Sequence, residues 1–105
     1  MTNQYPTESE LTILREWDCA RPVEEFVDFL RSCWWYPERQ MRLRDGVNTL
    51  LRERVKRLFL DTGGWSGNEE IIGALQENVI LWAFYWVQSR RGGHYIFEFP
   101  MKKRK

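Results

Sequence analysis

His94 is the chain's one histidine, and imidazole is the side chain best suited to general-base work near neutral pH. Its surroundings, "HYIFEF", alternate with the period of a strand. Tyr95, Phe97 and Phe99 fall on one face, Ile96 and Glu98 on the other. Glu98 then lies at the far end of the strand from His94, away from any nucleophile. Ser89, Cys19 and Cys33 give no recognisable triad spacing. The two cysteines lack C-x-x-C spacing, and a single histidine cannot complete a zinc site with them. They read as small apolar residues kept reduced in a cytosol. "DTGGWSGN" (61–68) puts glycines ahead of a helix start, where backbone amides attract phosphate. It lacks the G-x-x-x-x-G-K-[ST] spacing and any following lysine, so it is accounted for as a helix stop and a capped restart. No carboxylate pair stands out as an acid/base couple. The expectation is a non-enzyme with no catalytic, cofactor-binding or metal-ligating residue.

Residues that bind are better represented. Trp65, set among glycines, either folds back as a lid on the core or protrudes as an anchor; the fold-back reading is preferred. The basic residues are Arg39, Arg42, Arg44, Arg52, Lys56, Arg90, Arg91 and the tail Lys102, Lys103, Arg104 and Lys105. Arg42 and Arg44 share a face of a short strand, and Arg52 and Lys56 a face of a helix. Trp65, Arg39, Arg42, Arg44, Arg90 and Arg91 are the candidate partner-binding residues. Ile80, Phe84 and Val87 form a candidate interface or second core layer.

These residues sit in a chain of 105 residues, long enough for one domain with its own core, expected over 1–100, followed by a basic, frayed tail at 101–105. The net charge of +1 conceals an asymmetry: residues 1–28 carry −5 and the remainder +6. That is read first as two solvated faces attracting one another within the fold, and second as a basic side for an acidic partner. The opening "MTNQYPTESEL" has no basic and apolar regions of a signal peptide. "VILWAFYWV" (79–87) is about half the length of a bilayer crossing. A cytoplasmic protein without membrane insertion is expected.

Thr7 and Glu10 form a capping box opening a first helix. Pro22 suits the first position of a second, whose Val23, Phe26, Val27, Leu30 and Trp34 lie on one stripe. Met41 and Leu43 alternate with Arg42 and Arg44 as in a half-exposed strand. "VNTLLRERVKRLFLDTGG" (47–64) reads as a helix with Val47, Leu50, Leu51, Val55, Leu58 and Phe59 inward, and with Arg54 inside that stripe needing a carboxylate or an edge. A second capping box, Ser66 with Glu69, opens a long helix from Gly67 to Arg90 that Gly92-Gly93 ends. Ile71, Ile72, Leu75, Val79, Trp82, Ala83 and Trp86 form its core stripe. Ile80, Phe84 and Val87 make a second apolar side, and Phe84 is expected in a packed interior because such helices are normally central. The fold class expected is α+β: about four helices, a long central C-terminal helix and a small two-stranded antiparallel sheet.

The C-terminal third, "SGNEEIIGALQEN…WAFYW…SRRGGHYIFEFP", resembles small uncharacterised proteins encoded by bacteriophages. The resemblance implies a cytosolic accessory protein that binds and inhibits a host factor, such as a nuclease or defence complex, and carries over no catalytic residue. The excess of tryptophan and tyrosine and the second apolar side of the long helix also favour a protein partner, with homodimerisation open. The alternative is a nucleic-acid-binding accessory protein using the Arg-rich 39–57 region and the tail. Against it stand a pI near 7.8 and the absence of a known nucleic-acid-binding motif.

Overall fold

The computed structural model describes residues 5–48 and 52–101. Its elements are α1 (Glu8–Arg15), α2 (Val23–Cys33), α3 (Pro37–Gln40), β1 (Met41–Asn48), β2 (Glu53–Asp61), α4 (Ser66–Glu77), α5 (Val79–Tyr85), β3 (Trp86–Arg90) and β4 (His94–Pro100). The strands form a four-stranded sheet in the order β1-β2-β4-β3, every neighbouring pair antiparallel.

Local chemistry sets the early elements as expected. Thr7 Oγ1 accepts from the Glu10 amide at 3.1 Å, and the Thr7 amide donates to Glu10 Oε1 at 2.9 Å, so both halves of the capping box form. Pro22 stands just before α2, whose Phe26, Val27, Leu30 and Cys33 are buried. Trp34 follows, fully buried, and Tyr36 turns the chain in the left-handed region at φ 65° before Pro37 starts α3.

The sheet is two-faced. Met41, Leu58, Leu60, Phe97 and Phe99 point to one side, where they join Leu14, Trp17, Phe26, Leu30, Trp34, Ile71, Leu75 and Leu81 from the helical layer in one core. Registered rows cross the other side. One runs Arg42–Phe59–Ile96–Gln88, a second Arg44–Arg57–Glu98 and a third Asp61–His94–Arg90. None of these residues belongs to the core cluster.

Among the described residues the sheet has four strands and there are five helices, which corrects the expected two-stranded sheet and about four helices. The helix over 47–64 is not formed: 53–61 is β2, between the two strands that were foreseen. Val55, Leu58 and Phe59 fit a helical stripe, whereas Leu58 and Leu60 recur with period 2, and pairing with both β1 and β4 decides for the strand, since two strands alone are marginal. Arg54 accordingly sits exposed on a strand, while Leu50 and Leu51 lie outside the described residues.

The long C-terminal helix is also replaced, by α4, α5 and β3. Asn78 breaks it, with extended backbone at φ −85°, ψ 93°. From Trp86 the chain turns into β3, which pairs with β4 through a hairpin whose Gly92 and Gly93 both have positive φ, 86° and 81°. These glycines turn a hairpin; they do not stop a helix. Ser66 provides no side-chain cap, because Trp65 occupies the N-cap position of α4 without a side-chain hydrogen bond.

Candidate interaction surfaces

The break at Asn78 leaves α5 only seven residues long, covered on one side. Leu81 alone is buried, with Trp82 and Tyr85 half-buried against β4 aromatics. Trp82 stacks on Trp86 at 5.5 Å and meets Phe97 edge-on at 5.5 Å. The other apolar residues face outward: Val79 is 73% exposed, Ile80 59%, Phe84 73%, Val87 42% and Trp86 38%. The expected burial of Val79, Trp86 and Phe84 is thus overturned, and Trp82 is only half-buried. β4 packs against Trp82 and Tyr85, and among the described residues no second layer covers the Ile80–Phe84 side. From these fractions the patch measures on the order of 500 Å², at the upper end of what a typical monomer exposes.

Next to this patch lies an open sheet edge. β3 pairs on one side only, with β4, and all five of its residues are exposed. The register shift between Trp86 and Gln88 bulges Val87 out of the ladder. β1, at the opposite edge, carries Arg42, Arg44 and Asp45, charges of the kind that discourage edge pairing. On β3 only Arg90 does so.

The open sheet face has a different character. At its centre Arg57 donates to Glu98 Oε2 from Nε at 2.8 Å and lies 2.7 Å away through Nη2, while Asn48 Nδ2 donates to Glu98 Oε1 at 3.1 Å. Gly46 makes room for this arrangement, since a Cβ there would stand 2.8 Å from Arg57 Nη1. Beside the pair, Arg39, Arg42, Phe59, Arg90, His94 and Ile96 surround a groove of about 310 Å³. The Arg42 guanidinium stands 5.9 Å from the Phe59 ring centroid. His94 Nδ1 is 3.3 Å from Asp61 Oδ2, and no nucleophile joins them.

Of the residues singled out in the sequence, Arg39, Arg42, Arg44 and Arg90 are thus gathered on or beside this face, with Arg91 exposed in the adjoining turn. The Arg52–Lys56 helix face does not form. Arg52 is in a turn at φ 58°, and Lys56 sits on the helix-covered side of the sheet, donating to Asp45 at 2.7 Å. Trp65 is half-buried, edge-on to Trp35 at 5.5 Å, and neither ring belongs to the core cluster. Lys102 to Lys105 lie outside the described residues.

A groove of about 910 Å³ runs over Trp17, Phe26, Leu81, Tyr85 and Phe99, with Cys19, Arg21 and Lys56 on its rim. Both rim cations are engaged: Arg21 lies 4.1 Å over the Trp17 ring and pairs with Glu25, and Lys56 pairs with Asp45. Cys19 and Cys33 are both free thiols. Burial, and secondarily Glu10, pushes the Cys33 thiol up to about 12, and burial with Asp18 raises Cys19. Neither is a poised nucleophile.

Among the described residues no cluster of three or more His, Cys, Asp or Glu side chains could hold a metal, and no helix is long and apolar enough to cross a membrane. Comparison with protein-family models, with curated proteins and with solved structures gives no match.

Proposed function

We propose that the protein works by binding another protein at the corner formed by α5 and β3. The observation that carries this reading is the run of exposed Val79, Ile80, Phe84 and Val87 beside an edge strand with no covering element. The partner it fits adds a strand to β3, lays apolar side chains over Ile80 and Phe84, and offers carboxylates to Arg90 and Arg91. In the bacteriophage setting that the C-terminal resemblance implies, that partner is a host factor such as a nuclease or defence complex, and binding inhibits it.

The test is Phe84→Glu. The ring is largely solvent-exposed, so the variant keeps the fold and loses the partner recovered by the wild type in affinity capture from host lysate. Sedimentation of the purified chain separates a hetero-partner from a second copy on the same patch. A folded, monomeric Phe84→Glu protein that still captures everything the wild type captures defeats the proposal.

A further inference from the structure

We infer that the open face of the sheet is a second binding site, a platform for single-stranded nucleic acid. Three observations meet there. Among the described residues the helical core packs against the opposite face only, so the row Arg42–Phe59–Ile96–Gln88 is left open across four strands, about 14 Å at the usual strand spacing. Phe59 is half-exposed at its centre, lining the 310 Å³ groove with Ile96 beneath the Arg42 guanidinium. Arg39, Arg42, Arg44 and Arg90 have no carboxylate within ion-pair distance among the described residues. Glu98 on this face is already engaged by Arg57 at 2.7 Å, and Asp61 accepts the Gly63 amide at 2.9 Å.

An apolar ring between unpaired guanidinium groups matches the alternation of a single strand. A base stacks on Phe59 while flanking phosphates meet Arg42 and Arg44 on one side and Arg90 on the other. A duplex hides its base faces and could use only the charges. An acidic protein segment would likewise find the arginines but leave the ring unused. Single-stranded nucleic acid is the ligand that uses both.

The experiment measures fluorescence anisotropy of a labelled oligo-deoxythymidine of about twelve nucleotides titrated with the full chain, a length within the range such sites occupy. A duplex of equal length and poly-glutamate serve as competitors. The expected result is binding to the single strand that neither competitor displaces efficiently. Its log affinity should fall with log salt at a slope of about −2, as three phosphate contacts on a single strand dictate. Phe59→Ala should weaken binding roughly 5- to 100-fold, the loss of one stacked base, and Phe59→Trp should restore it. If Phe59→Ala does not fold, the exposed pair Arg42→Gln and Arg44→Gln replaces it and should cut the salt slope by about 1.4. Phe84→Glu should bind the oligonucleotide as the wild type does, which separates this site from the α5–β3 corner. The inference is overturned by no binding at about 50 mM salt, by equal binding of poly-glutamate or duplex, or by indifference to the Phe59 and arginine changes.

Discussion

Asn78 holds the end of α1 from the start of α5. Its Nδ2 donates to Leu14 O at 3.0 Å and to Trp17 O at 3.2 Å, while its Oδ1 accepts the Leu81 amide at 3.1 Å. One buried amide therefore satisfies two carbonyls at the C-terminal end of one helix and an amide in the first turn of another. Asn78→Ala removes all three bonds, taking the side-chain partner from the buried Leu81 amide and leaving Leu14 O to the Trp17 amide at 3.3 Å. The expected loss is about 2–4 kcal/mol of unfolding free energy, read as a lower urea midpoint at unchanged slope. A shift of under about 0.5 kcal/mol would mean that the amide does not bear on stability.

Much of the fold's difficulty for a sequence reader lies in that residue. "EEIIGALQENVILWAFYWV" has helical periodicity throughout, and nothing local marks Asn78 as a break except its preference for caps over helix interiors. The decisive partners, Leu14 and Trp17, lie more than sixty positions away. The same holds for β2, where Leu58 fits a helical stripe with Val55 and a period-2 pair with Leu60, and the segment becomes a strand because β4 pairs with it. Where the signal is local, it is legible: the Thr7–Glu10 box, the Pro22 boundary, the alternation in β1 and β4. For the candidate surfaces, the arginines could be named from sequence but not their convergence, since Arg42 and Arg90 meet only through a four-strand register. Phe59 was assigned inward because the helix reading turned it to the core.

The glycines divide into those with room and those without. A Cβ on Gly93 would collide with Thr62 Oγ1, in a backbone at φ 81°, and the Gly93 carbonyl accepts the Thr62 amide at 3.0 Å. Gly93→Ala should cost roughly 2 kcal/mol or more through strain and displacement of Thr62. Gly73 lies in α4 with open space around it, so Gly73→Ala should add about 0.5–1 kcal/mol. Paired thermal melts check both signs at once, with opposite shifts in Tm expected.

The two thiols should separate by reactivity. Cys33 is 5% exposed and Cys19 half-buried, so a disulfide reagent near pH 8 should modify Cys19 readily and Cys33 only once denaturant is added. Mass spectrometry of the labelled peptides decides it. The pH dependence follows from the raised pKa of Cys33. The folded value, about 12, exceeds the ordinary 9.0, so the folded state holds the proton more tightly. Its contribution is whole below pH 9 and lost as pH rises toward 12. The stability advantage of the wild type over Cys33→Ala should therefore shrink through that window.

Leu81 and Phe84 stand three positions apart on α5, one 1% exposed and the other 73%. A carboxylate tests what each side chain touches. Leu81→Glu places a charge in the core, with Ala74, Leu75 and Phe97 among that cluster's buried residues, and should destabilise by several kcal/mol or abolish folding. Phe84→Glu changes a side chain that water already surrounds, and should move the unfolding free energy by no more than about 0.5 kcal/mol. It should also raise solubility, by breaking the apolar run between Ile80 and Val87. Urea denaturation of both variants supplies the comparison. Equal losses would place Phe84 inside the core and remove the exposed patch on which the protein-binding proposal rests.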